Sequence, residues 1–145
     1  MKYIILILLL TPIISFGQKI PNESNLIIVK GIKFIDVCNS LLDSGYVIEK
    51  KDSELGTIKT ELRQYEKYWN SGYYFQIRVR DSIGYFKCYF TGPLTSQNPL
   101  FKDERCYYMT NKKGVFQEKS LFGYPFMVMF NFLKSLGGEI ECKIE

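Results

Sequence analysis

Residues 73–91 read YYFQIRVRDSIGYFKCYFT, and the alternation within them decides the fold. Successive side chains of an extended chain point to opposite faces, so Phe75, Ile77 and Val79 share one side while Tyr74, Gln76, Arg78 and Arg80 take the other. Asp81, Ser82, Ile83 and Gly84 supply turn chemistry. The period of two then resumes, with Phe86, Cys88 and Phe90 opposite Tyr85, Lys87 and Tyr89. One face of this hairpin is apolar and demands a covering layer; the other is aromatic and basic.

Upstream, Tyr46 to Lys51 and Thr57 to Arg63 flank the turn-forming stretch Asp52-Ser53-Glu54-Leu55-Gly56 and read as a second hairpin, with Ile58, Thr60 and Leu62 on one side. Together the two hairpins make a four-strand meander. Leu26 to Lys30 reads as a first strand. Lys33 to Asp43 reads as a helix, with Phe34, Ile35, Val37, Cys38, Leu41 and Leu42 on its apolar arc and Gly45 as its stop. A second helix is expected from Gly123-Tyr124-Pro125, with proline at the first helical position, to Gly137-Gly138. Its buried stripe is Phe126, Met129, Phe130, Leu133 and Leu136, widened by Val128 and Phe132. Glu139 to Ile144 alternates again and points Ile140, Cys142 and Ile144 inward. Residues 92–105 read as an ordered excursion or a lid, Cys106 to Thr110 as a further short strand, and Asn111 to Gly114 as a turn. This order is satisfied by an α+β fold of two layers, an antiparallel sheet of four to six strands with two helices packed on one face.

At the other end of the chain, Lys2 precedes an apolar run from Ile4 to Leu10, and Ser15-Phe16-Gly17 places small residues at −3 and −1 of a cut before Gln18. That pattern reads as a cleaved secretory signal over residues 1–17, and it is shorter than the roughly 20 apolar residues a spanning helix needs. No cysteine directly follows the run, so a lipid-anchored form is not supported. The expected organisation is a signal at 1–17, a loose polar segment at 18–25 and one domain at 26–145, exported to the periplasm or outside the cell. Eleven tyrosines, eleven phenylalanines and no alanine agree with a sheet-rich domain. Loss of Lys2 lowers the formal charge of +4 by one, too little and too evenly spread for nucleic-acid binding.

The stretch 41–61, LLDSGYVIEKKDSELGTIKTE, runs from helix end through Gly-Tyr and Ile-Glu to Gly-x-Ile-x-Thr. It resembles bacterial exported domains with a TBP-like or helix-grip fold, among them a large family of unknown function and domains of outer-membrane assembly lipoproteins. The resemblance implies that fold, with element order similar over 26–136, and implies no activity.

Chemistry is limited by what the chain lacks. With no histidine there is no Ser-His or Cys-His pair and no imidazole metal ligand, so neither metal nor cofactor is expected. The carboxylates Glu49, Asp52, Glu54, Glu61 and Glu66 fall at alternating strand positions or in turns, where they read as solvated charges. Cys38, Cys88, Cys106 and Cys142 are even in number and lack zinc spacing, which in an oxidising compartment makes them disulfide candidates; buried thiols are the alternative. Phase turns Cys38, Cys88 and Cys142 inward while Cys106 follows the long excursion; of the three available pairings, Cys38 with Cys142 and Cys88 with Cys106, the latter closing the excursion, is favoured.

Binding candidates follow from the polar face of the meander: Tyr74, Gln76, Arg78, Arg80, Tyr85, Lys87 and Tyr89 suit sugar rings, an acidic polymer or a covering partner. The same residues also serve as cross-strand neighbours on a solvated sheet. Trp69, with Tyr65, Tyr68 and Tyr73, forms a second aromatic cluster that either binds or packs its own connection. Asp81-Ser82-Ile83 reads first as a hydrogen-bonded turn, and is also similar to a bacterial O-glycosylation motif at Ser82. The expectation is a non-catalytic exported binding module of the bacterial envelope, its partner an envelope protein or a glycan. A carrier holding an apolar ligand between helices and sheet, and an inhibitor of an extracellular enzyme, are the alternatives.

Overall fold

A computed structural model describes residues 19–65, 71–92 and 103–145. The signal at 1–17 and the aromatic residues Tyr68 and Trp69 lie outside them, as do Glu66 and most of the 92–105 excursion. Ten elements follow in order: β1 (Leu26–Lys30), α1 (Phe34–Asp43), β2 (Ile48–Asp52), β3 (Thr57–Thr60), β4 (Arg63–Gln64), β5 (Gly72–Arg80), β6 (Ile83–Thr91), β7 (Glu104–Arg105), α2 (Gly123–Leu136) and β8 (Glu139–Lys143). The fold is α+β, two helices with an open antiparallel sheet of eight strands ordered β2-β3-β5-β6-β1-β8.

Eight strands exceed the expected four to six for two local reasons. The single strand read over 57–63 is broken at Glu61 and Leu62, so that β3 pairs with one end of β5 and β4 with the other. At the break the Glu61 N–H turns away to the Val47 carbonyl, and the Thr60 hydroxyl takes the Phe75 N–H at 2.9 Å. A side chain thus replaces a ladder partner, and Leu62 swings out to solvent instead of sharing the face of Ile58. The second reason is β7, which pairs with the far end of β6 at Tyr89 and Phe90, two residues before the strand read from Cys106.

The inner face of the sheet carries the core. Ile27, Val29, Phe75, Phe86 and Cys88 are buried against Val37 and Leu41 of α1 and Phe126, Met129 and Leu133 of α2. Both helices therefore cover the face that alternation assigned to them. The arc of α1 is narrower than expected, because Ile35 and Leu42 are exposed. Pro125 occupies the third helical position of α2 rather than the first; its missing N–H still falls among those that a first turn leaves unpaired. Leu136 and Val128 are only half-buried, and Ile144 lies beyond β8 in solvent instead of pointing inward.

The meander is closed by two different turns. Asp81 and Ser82 both have positive φ, 52° and 62°, which makes a two-residue hairpin loop and starts β6 at Ile83. In the other hairpin Gly56 is required twice over: its φ is +66°, and a side chain there would run into the Val79 carbonyl. Of the segment 18–25, read as loose, residues 22–25 are pinned by hydrogen bonds. The Glu23 N–H donates to the Tyr108 carbonyl and the Tyr108 N–H to the Ser24 carbonyl, while the Asn22 side-chain oxygen accepts from the Thr110 N–H.

Candidate functional site

The outer face of the sheet is where the polar half of the alternation goes. Register sets Tyr74 opposite Tyr89, Gln76 opposite Lys87 and Arg78 opposite Tyr85. Thr57 and Lys59 of β3 flank Arg78 and Gln76, while Ile28 of β1 flanks Tyr85 on the other side. A groove of about 650 Å³ opens over these strands. It is edged by the cations Lys50, Lys59, Arg78, Arg80 and Lys87 against only two acids, Asp81 and Glu145. Leu26, Ile83 and Tyr85 give it an apolar floor, with the Tyr85 ring 37% exposed.

The structure brings together five of the seven face candidates and separates two. Gln76, Arg78, Arg80, Tyr85 and Lys87 line the groove. Tyr74 and Tyr89 form their own stacked pair, ring centroids 5.3 Å apart and 13° from coplanar. Tyr74 is only 9% exposed. Lys59 lies over its ring at 4.9 Å, and its hydroxyl donates to Asp103; burial, then the Asp103 charge, raises its pKa. Tyr89 receives a hydrogen bond from the Arg105 guanidinium. This end of the face is a packed patch and not open surface, which alternation alone does not reveal.

Charge in the groove is unevenly spent. Glu145 accepts from Lys87 Nζ and from Arg105 Nη1 at 2.7 Å, and those hydrogen bonds hold its carboxyl below the usual glutamate value. Lys59 does the same to Glu49 at 2.8 Å. Arg80 meets Asp81 at 3.6 Å with both groups largely in solvent, a weak pairing. Among the described residues, the Arg78 side chain has neither ion-pair nor hydrogen-bond partner, although it stands mid-sheet between Thr57 and Tyr85. Lys50, Lys59, Leu26 and Glu145 were not singled out from the sequence. Lys59 shares the phase of Thr57 and was legible once β3 is set beside β5; the return of Glu145 over Lys87 had no local signal.

Other candidates are absorbed by structure. Tyr65 and Tyr73 are buried, Tyr65 packing edge-on to Tyr124 at 4.8 Å and Tyr73 hydrogen-bonded to Tyr46, so both belong to the core and not to a surface cluster. Asp52 Oδ1 accepts from the N–H groups of Glu54 and Leu55 and so serves its turn. The Ser82 side chain is exposed while its carbonyl accepts from Gly31 and Ile32, which fixes the loop from the main chain.

All four cysteines are buried thiols. Cys88 and Cys106 are adjacent across β6 and the end of β7: the Cys106 N–H donates to the Cys88 carbonyl at 2.9 Å, and the two thiols are hydrogen-bonded. Burial, with that neighbour, pushes the Cys88 thiol well up. Neither expected bridge is formed, and of the two pairings only Cys88 with Cys106 is brought side by side. Cys38 lies in α1 within the core, where burial raises its thiol, whereas Cys142 lies in the edge strand β8, where burial pushes its thiol up to about 11.

A second hollow of about 530 Å³ lies outside α2, among Tyr65, Phe116, Tyr124, Met127 and Val128. Among the described residues no helix is long and apolar enough to cross a membrane. No protein-family model matches the chain, and no curated protein matches it.

Proposed function

We propose that this protein is a non-catalytic binding module of the bacterial cell envelope, exported by its N-terminal segment, and that the groove on the outer sheet face is where it binds. The observation that carries the reading is Arg78. An arginine held mid-sheet without a partner, among four further cations and only two acids, is a group left available to an anionic ligand. The space between the layers is filled by Phe75, Phe86, Phe126 and Met129, which is why the outer face is favoured over an internal carrier site. Among the described residues, Asp52 serves its turn and Glu49 and Glu145 are held in ion pairs, which supports binding over acid–base catalysis. The order of strand, helix, meander and helix, with both helices on one face, supports the finer grouping with TBP-like or helix-grip exported domains.

The test is a capture from envelope extract on purified protein, comparing wild type with Arg78→Glu and recovering bound protein and carbohydrate alike. The expected result is a component that wild type retains, that Arg78→Glu loses, and that rebinds in purified form. Equal retention by both proteins, or none by either, overturns the reading.

A further inference from the structure

The groove runs across the strands, from Lys50 in β2 to Leu26 in β1. At about 4.8 Å between neighbouring strands this is roughly 19 Å of cation-edged trough. Apart from Lys50 on the edge strand β2, its floor is made of the interior strands β3, β5, β6 and β1, whose main-chain N–H and C=O groups are paired within the sheet. A peptide laid there would find no main-chain partner for its own amides, since strand addition works only at an open edge. An acyl chain needs an enclosed apolar slot, and here Arg78, Arg80 and Lys50 stand exposed along an open trough. What the trough does present is the exposed Tyr85 ring, bordered by Ile83 and Leu26 and set directly opposite Arg78. A flat apolar patch one ring wide beside a guanidinium fork matches a sugar ring that carries a carboxylate: the ring's C–H face lies on tyrosine while the carboxylate takes a bidentate arginine.

Resting on the reading of the groove as the binding site, we propose that its ligand is an acidic glycan, a carbohydrate chain bearing carboxylates along its length. Lys50, Lys59, Arg80 and Lys87 then meet successive charges on either side of Arg78. Two internal competitors stand against the glycan in the free protein, Glu145, which holds Lys87 and Arg105, and Glu49, which holds Lys59.

Calorimetry on the purified protein tests this with four probes: polygalacturonate, neutral dextran, poly-L-glutamate and phosphatidylglycerol vesicles. Polygalacturonate is expected to bind and dextran not. Arg78→Ala should weaken polygalacturonate binding about tenfold or more, the worth of a charged hydrogen-bonded pair. Glu145→Gln should tighten it, and Lys113→Glu, an exposed charge in the distant 111–114 turn, should leave it unchanged. Tyr85→Ser should weaken polygalacturonate while leaving any residual poly-L-glutamate binding as it was, which separates ring stacking from plain charge. Poly-L-glutamate binding as tightly as polygalacturonate, vesicle binding without polygalacturonate binding, or no binding of any probe overturns the inference. If none of the probes binds but the envelope capture still depends on Arg78, the groove reading survives and the glycan falls. If both fail, both are wrong.

Discussion

On the inner face of β5 and β6, Phe75, Ile77, Phe86 and Cys88 are sealed beneath two helices; one residue further along each strand, Gln76, Arg78 and Tyr85 stand in solvent. The same backbone thus carries stability on one side and chemistry on the other. The division is not uniform along the strands, because at the far end of the outer face Tyr74 and Tyr89 are drawn into a stack roofed by Lys59 and tied to Asp103 and Arg105. What faces outward is therefore not one surface but two, a groove and a packed patch. Substitutions should tell all three environments apart.

The largest effect belongs to the inner face. Phe86→Ala should cost about 3–5 kcal/mol in denaturant unfolding, since a fully buried ring leaves a cavity that strands held on both sides cannot close. A cost near that of a surface substitution would mean the helices do not cover this face. Next comes the Cys88–Cys106 pair. Paired residues that share a main-chain hydrogen bond lie about 5.5 Å apart at Cα, within disulfide range. In protein recovered from an oxidising compartment, exchange with a disulfide oxidant should join these two thiols, with loss of the mass of two hydrogens. The bridge should add roughly 3 kcal/mol for a loop of this length. Cys38 and Cys142 should stay alkylatable only after unfolding; mass spectrometry finding four free thiols in the exported protein would break the bridge.

The outer face should then divide. Tyr74→Ser should cost about 1–2 kcal/mol, from the lost stack and the unpaired Asp103. Arg78→Ser should stay within about 0.5 kcal/mol. Equal small effects would erase the distinction between patch and groove, and a large effect at Arg78 would show the groove to be structural.

Alternation made the two faces legible, because a period of two is local and a buried hairpin leaves little freedom in its phase. What it could not supply were events that depend on distant chain. Tyr74 reads as an outward residue in any strand, and its burial comes from Asp103, Tyr89 and Lys59. Leu62 reads as inward until the Thr60 hydroxyl takes a ladder hydrogen bond and breaks the strand. Cys38 and Cys142 share the inward phase and one core, but inward phase does not choose a partner, and both remain free thiols, one on α1 and one on the edge strand β8. A bridge from Cys88 to Cys106 is the one that would close the long excursion, and the pairing of β7 with β6 brings these two side by side as free thiols.

The smallest effect concerns Glu145, where pH probes whether this acid is held by the face it returns to. Hydrogen bonds from Lys87 and Arg105 keep its carboxyl below the ordinary glutamate value of 4.5. A group whose folded value is depressed contributes stability that is fully present above its unfolded value and is lost as pH falls through the folded one. Wild type should therefore be slightly more stable than Glu145→Gln at pH 7, by less than about 1 kcal/mol for so exposed a pair. The gap should shrink as the solution is acidified below 4.5, because protonated glutamate and glutamine then offer Lys87 and Arg105 much the same neutral group. High salt should shrink it at pH 7 too. Parallel stability curves for the two proteins from pH 7 to pH 3 would mean that Glu145 does not engage these cations in solution, and that the groove already has Lys87 free.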